Sequence, residues 1–242
     1  MKVIAKTDIG RVRATNEDTY TFIKKDDNNL IAFVCDGMGG HLGGAFASSK
    51  TIEFLNDAFN KLISETKTPN IGVWLFETLQ NANTFVYNQS IENENLKGMG
   101  TTVSGIVMIN NEIYYAHIGD SRIYVYSDKG IEQITTDHTY VNTLLLNGLI
   151  SYKSAKTHPK RHVLTNALGI KKSVSVDIGQ IKLNDNDNIL ICSDGLHNML
   201  DDKKLFKLAN EDLDIQTKLD KIVDKALEAG GSDNITLILL EQ

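Results

Sequence analysis

Three short apolar runs in this chain are each joined to an aspartate. Leu30 to Cys35 (LIAFVC) runs straight into Asp36-Gly37. Ile189 to Cys192 is followed, one residue later, by Asp194-Gly195. Asp233, in Gly-Gly-Ser-Asp-Asn, precedes the run Ile235 to Leu240. Runs of this length, rich in branched apolar residues and bounded by turn residues, read as buried strands. A buried strand is a rigid carrier, so each carboxylate is delivered to one rim of the core. Taken singly, an Asp-Gly is a turn, favoured for its local hydrogen bonds and its tolerance of unusual dihedrals. Taken together, several carboxylates on one rim repel strongly unless cations bind between them. Asp120, in Gly-Asp-Ser-Arg, and the segment Asn16-Glu17-Asp18 add acids of the same kind. Oxygen-only ligands select Mg²⁺ or Mn²⁺ over zinc. Gly37, Gly39 and Gly40 leave the backbone beside Asp36 open to an ion, a water or a phosphate.

The rest of the chain supplies the scaffold. Lys24 to Asn29 (KKDDNN) is a turn between two strands. Thr102 to Ile109 leads through Asn110-Asn111 into Ile113 to Ile118. A turn at Gly119-Asp120, a strand Arg122 to Tyr126 and a further turn at Ser127 to Gly130 then read as a β-meander. Leu55, Ala58, Phe59, Leu62 and Ile63 form one apolar helical stripe. Leu75, Phe76, Leu79, Ala82 and Val86 form a second, and Leu219, Ile222, Val223, Ala226 and Leu227 a third, with Gly230 as its stop. Strands outnumber helices and the helices come in antiparallel pairs, which predicts antiparallel sheets packed together with helices outside. Thr139 to Asn147 is a short helical stretch, and Lys153 to Arg161 (KSAKTHPKR) is a basic surface insertion.

Charge and cysteine usage narrow the function classes. A formal net charge of -6, with no basic face, argues against a nucleic-acid binder. Two cysteines, Cys35 and Cys192, make no disulfide framework and fit a reducing compartment. Met1 to Gly10 alternates polar and apolar residues rather than forming a leader, and no apolar run reaches the length of a membrane span. The expectation is a cytoplasmic, monomeric protein with no membrane partner.

The segments GRVRATNED, FVCDGMGGHLGG, GTTVSG, HIGDSRIY, TTDHTYVN, HPKRHVLTNALG, ICSDGL and GGSDNIT occur in the order found in the protein phosphatase type 2C family, and the chain resembles its compact bacterial members. Each motif alone is weak; the ordered set, from about Thr7 to Leu240, is specific. The resemblance implies an α+β fold, an αββα sandwich of two antiparallel sheets flanked by helix pairs. Residues 1–242 would then form a single catalytic domain with a small flap at about 138–165. It also implies hydrolysis of phosphoserine and phosphothreonine in proteins by metal-activated water attacking phosphorus in line.

Carried over position by position, Asp36 bridges two metal ions and the Gly37 carbonyl ligates one of them. Asp194 and Asp233 ligate the other. Glu17 supports the cluster through water, with Asp18 behind it. Asp120 helps to hold a third, weaker ion, and Arg13 grips the substrate phosphate. The implied cofactors are Mn²⁺ or Mg²⁺. The implied partners are phosphorylated proteins and, by family analogy, an opposing serine/threonine kinase.

The chain departs from the family pattern in two places. Many eukaryotic members have a histidine, a candidate general acid, where this chain has Met38. His41 nearby reads as structural. In the flap, His162, after Arg161, stands where relatives often have asparagine, and Asn166, after Leu164-Thr165, where they often have arginine. Arg122 reads as structural, pairing with acids near the cluster or bracing its turn. Two rival functions remain at this level, a catalytically weak phosphoprotein-binding module and a small-molecule phosphohydrolase.

Overall fold

The computed structural model describes residues 1–65 and 69–242, apart from the side chain of His41. Eleven strands are described. The first four are β1 (Lys2–Asp8), β2 (Asp18–Lys24), β3 (Leu30–Met38) and β4 (Gly100–Thr101). Next come β5 (Val103–Ile109), β6 (Glu112–Ile118), β7 (Arg122–Ser127) and β8 (Gly130–Gln133). The last three are β9 (Asp177–Ile181), β10 (Asn188–Cys192) and β11 (Ile235–Glu241). They form two antiparallel sheets, one in the order β1-β11-β10-β7-β8, the other β2-β3-β5-β6-β9 with β4 paired to β3. The long helices α1 (His41–Ser64) and α2 (Ile71–Glu92) cover the second sheet. On the first sheet lie α5 (Asp194–His197), α6 (Asp202–Ala209) and α7 (Ile215–Glu228). Two short helices, α3 (Tyr140–Leu146) and α4 (Tyr152–Lys156), sit apart in the flap.

The central strands are apolar on both faces because both faces are buried. In β3, Ile31, Phe33 and Cys35 pack toward the helices with Leu55, Phe59 and Leu79. Their alternates Leu30, Ala32 and Val34 meet Ile189, Ile191, Ile238 and Leu240 of the opposite sheet. In β10 the same alternation sends Leu190 and Cys192 toward Leu219, Ile222 and Val223 of α7. That period-2 partition between two apolar layers explains why these strands read as continuous hydrophobic runs. The helix ends are closed by side chains: Asn70 accepts from Val73 N, Asp201 from Lys204 N and Asp214 from Thr217 N. No described helix is long and apolar enough to cross a membrane.

The meander predicted from the sequence is divided between the sheets. β5 and β6 pair as a hairpin, and β7 and β8 pair as another, but β6 and β7 belong to different sheets. Gly119 to Ser121 is therefore a crossover rather than a hairpin turn. Gly119 makes the change of direction at φ +103°, and a Cβ there would press on Thr102. Local turn chemistry is the same for a hairpin and a crossover, so the sequence does not separate them. The basic insertion at Lys153 to Arg161 overlaps α4, which begins one residue earlier at Tyr152 and is capped by Ser151.

Candidate functional site

The acids meet because the two sheets bring their strand ends to one end of the sandwich. Asp36 lies near the end of β3. Asp194 opens α5 just after β10, Asp233 lies in the turn two residues before β11, and Asp120 sits in the crossover. All four line one cleft of about 1320 Å³, together with Arg13, Glu17, Gly37 and Met38. Asp18 does not line it. It stands directly across the β2–β3 ladder from Asp36, and its Oδ2 accepts from Ser193 Oγ at 2.7 Å.

Placing like charges opposite each other on a ladder is destabilising, and burial makes it worse. Burial first, then repulsion from Asp18, Asp194, Asp120 and Asp233, pushes the Asp36 carboxyl well above the usual carboxylate range. Burial and then Asp120 and Asp233 do the same to Asp194. Asp18 is pushed up to about 6, mainly by burial. Asp120, 8% exposed, is pushed up to about 7 by burial and by Asp137, against the pull of Arg122. Asp36, Asp120 and Asp194 in the cleft, and Asp18 behind it, thus form a buried cluster that resists carrying its charges.

The surrounding contacts tie distant segments to this cleft. Asn234 Oδ1 accepts from Glu17 N at 2.9 Å, while its Nδ2 donates to Ile9 O and Thr15 O. One side chain thereby fastens the loop carrying Arg13 and Glu17 to the turn carrying Asp233. Arg13 Nη2 donates to Asp233 Oδ2 at 2.7 Å, with the arginine side chain 53% exposed at the mouth. Asn198 Nδ2 donates to Asp194 Oδ2 at 3.1 Å, and His162 of the flap approaches the same oxygen at 3.9 Å. Arg122 forks onto Asp137, Nε to Oδ1 at 2.9 Å and Nη2 to Oδ2 at 2.6 Å, a structural pairing with an acid beside the cluster. Asn234, Ser193, Asp137 and His197 were not singled out from the sequence. Asn234, Ser193 and Asp137 lie inside the ordered motifs and His197 just after one, but only their three-dimensional contacts reveal what they do.

The residues fit divalent cations. The donor set is oxygen throughout, as hard cations require. Among the described residues, Asp18 Oδ1 is a buried oxygen without a hydrogen-bond partner, in a cluster whose burial and mutual repulsion a cation would relieve. The backbone is also packed to bring the donors close. A Cβ at Gly37 would collide with the Gly44 carbonyl and crowd Glu17 O, and a Cβ at Gly44 would collide with the Glu17 carboxylate. No three described Asp, Glu, His or Cys side chains already converge as the ligands of one ion. The acids that could hold ions are spread along the cleft.

Comparison with known proteins defines the class. A model of the protein phosphatase 2C family matches residues 10–229, and the chain belongs to that family of metal-dependent phosphatases. The serine/threonine phosphatase stp of Listeria monocytogenes serotype 4b is 36% identical over 237 residues, covering 98% of this chain and 94% of its own. The protein phosphatase PhpP of Streptococcus pneumoniae strain D39 is 33% identical over 241 residues, covering 99% and 97%. Among solved structures, the serine/threonine phosphatase Stp1 from Staphylococcus aureus superposes with a TM-score of 0.92 at 34% identity, over 100% of this chain and 94% of that one. The helix–sheet–sheet–helix layering is the fold these phosphatases share.

Proposed function

We propose that this chain is a Mg²⁺- or Mn²⁺-dependent protein serine/threonine phosphatase, with residues 1–242 acting as one catalytic unit. The observation that carries the reading is the convergence of Asp36, Asp120, Asp194 and Asp233, from four separate elements, on one cleft. It is supported by relatives that are named serine/threonine phosphatases over nearly their whole length.

Asp36, the Gly37 carbonyl, Asp194 and Asp233 would hold two core ions, and Asp120 would share in a third, weaker site. Glu17 supports the core through water, and Asp18 backs Asp36 across the ladder. When bound, the ions supply charge neutralisation and a water acidic enough to attack phosphorus near neutral pH. The chain's own residues do the rest. Arg13 commits one Nη to Asp233 and keeps further N–H groups for the phosphate oxygens, which its planar fork matches. Met38 lines the cleft and has no proton to give, so no side chain at that position serves as the general acid. Beyond the acids the cleft is walled by Val141, Leu145 and Leu164, with Lys156 and Arg161 at its rim. That mixed surface suits the peptide around a phosphorylated residue. Phosphorylated proteins are the proposed substrates, an opposing serine/threonine kinase their source, and the cytoplasm the setting. The buried free thiols of Cys35 and Cys192 accord with a reducing compartment.

The test is hydrolysis of a phosphothreonine peptide, with a nucleotide monophosphate as the competing substrate class. Chelation with EDTA is expected to abolish peptide hydrolysis and Mn²⁺ to restore it. Turnover that survives exhaustive chelation, or a preference for the nucleotide, would overturn the proposal.

A further inference from the structure

The crossover that carries Asp120 has no sheet partner to hold it. β6 ends at Ile118 and β7 begins at Arg122 in the other sheet, so the backbone groups between them must be satisfied by something else. His138 meets that need at Gly119 twice. The Gly119 N–H donates to His138 Nδ1 at 3.1 Å, and the Gly119 carbonyl accepts from the His138 N–H at 2.7 Å. On the other side of Asp120, its own carbonyl accepts from His197 Nε2 at 2.9 Å. The peptide units before and after the Asp120 Cα are both fixed, which sets the direction in which its side chain leaves the backbone.

The ring of His138 is itself held in one state. A backbone N–H can only donate, so Nδ1 must present its lone pair and the ring proton must sit on Nε2. Nε2 faces Asp177 Oδ2 of β9 at 3.0 Å. Asn166 Nδ2 lies 3.2 Å from Nδ1, and the ring of His117 packs on it with centroids 4.7 Å apart. A carboxylate that fixes the tautomer of a histidine, which in turn orients a functional group, is a recurrent arrangement behind metal-site ligands.

We infer that His138 is a positioning residue for Asp120, its ring accepting from the Gly119 N–H and its own backbone N–H donating to the Gly119 carbonyl, while Asp177 fixes the tautomer that the ring contact requires. The inference rests on the reading of Asp120 as part of the catalytic cluster. It assigns to the His138 ring a role that packing alone would not demand.

Two amide substitutions separate positioning from bracing. Asn places its oxygen near the position of Nδ1, so His138→Asn keeps an acceptor for Gly119 and loses Asp177. His138→Gln reaches toward Asp177 and offers nothing at the Nδ1 position. The first readout needs no metal. In EDTA-treated protein, ¹⁵N shifts should show the His138 proton on Nε2, and amide exchange at Gly119 should quicken about tenfold in His138→Gln and stay near wild type in His138→Asn. The second readout is phosphopeptide kinetics with Mn²⁺. His138→Gln should lose about tenfold in kcat with little change in KM, and His138→Asn should retain most of it. If His138→Gln does not fold, Asp177→Leu, which alters only a half-exposed carboxylate, should move Gly119 exchange and kcat in the same direction by a smaller factor. A proton found on Nδ1, or Gln and Asn variants that behave alike, would overturn the inference. Asp120→Ala, run alongside, separates the two levels. A slow Asp120→Ala beside a fully active His138→Gln refutes the role of His138 alone, whereas a fully active Asp120→Ala refutes the reading of Asp120 on which it rests.

Discussion

Replacing Arg122 by alanine should destabilise the fold far more than loss of a surface cation does. The guanidinium forks onto Asp137 and its Nη1 donates to Tyr124 Oη at 2.9 Å. The two side chains of the ion pair are only 21% and 15% exposed. Removing one member of a buried pair leaves the other charge without compensation, at a cost of about 3–5 kcal/mol. Two features reduce that figure here. The pair keeps some contact with solvent, and Gln133 Nε2 still donates to Asp137 Oδ1 at 2.8 Å. A loss of about 2–4 kcal/mol follows. Unfolding entropy of about 2.1 cal/mol/K per residue, over 242 residues, amounts to about 0.5 kcal/mol/K, so Tm should fall by about 4–8 °C. The assay is differential scanning calorimetry of EDTA-treated protein at pH 7.5, which removes any contribution from bound ions. The double variant Arg122→Met/Asp137→Leu should recover most of the loss, because an apolar pair of similar volume carries no desolvation cost. A Tm change below about 1 °C in Arg122→Ala, or a double variant no more stable than the single one, would refute the reasoning.

Other expectations follow from the same structure. Burial holds the His117 imidazole down to about 4, so below pH ~6.5 the unfolded chain takes up a proton that the native state refuses. Native stability from this group is then complete above pH ~6.5 and is lost as pH falls toward 4, by about 3 kcal/mol in all. The stability difference between wild type and His117→Gln, followed by urea melts, should shrink across that window. Asp36→Asn relieves carboxylate repulsion, so the EDTA-treated variant should melt no lower than wild type at pH 8, while Mn²⁺ should stabilise wild type alone. Gly44→Ala forces a Cβ against the Glu17 carboxylate and should cost about 1–3 kcal/mol by calorimetry, with loss of phosphatase turnover. Arg13→Ala should raise KM for a phosphopeptide, and kcat should fall as well if the guanidinium aligns the phosphate; unchanged kinetics would place Arg13 away from the substrate.

The aspartates at strand junctions were legible because their signal is local. An apolar run identifies a buried strand, and the Asp beside it must then lie at the strand's end, whatever the topology around it. Asp36, Asp194 and Asp233 could be read from a few residues each, and the helical stripes of α1, α2 and α7 from their own periodicity. Other elements, β1 and α6 among them, had weak local signals. β1 shows only a loose polar–apolar alternation, and its identity as a strand comes from pairing with β11. The short helix α6 draws its place from Leu205 and Leu208 packing into the core beside α7 and β8.

By itself, the sequence determined the apolar strands that carry the aspartates, the helical stripes of α1, α2 and α7, and which carboxylates stand at the ends of strands, because each of these depends on neighbours a few positions away. Only the tertiary structure decided which sheet each strand joins. A strand buried on both faces carries no mark of its sheet, so the passage of Gly119 to Ser121 from one sheet to the other could not be read locally. The same holds for the groups that work on that crossover. Arg122 meets Asp137, His138 grips Gly119 and His197 reaches Asp120 across 15, 19 and 77 positions of chain. Hydrogen bonds between groups so far apart exist only once the two apolar layers have closed and brought the strand ends to one rim.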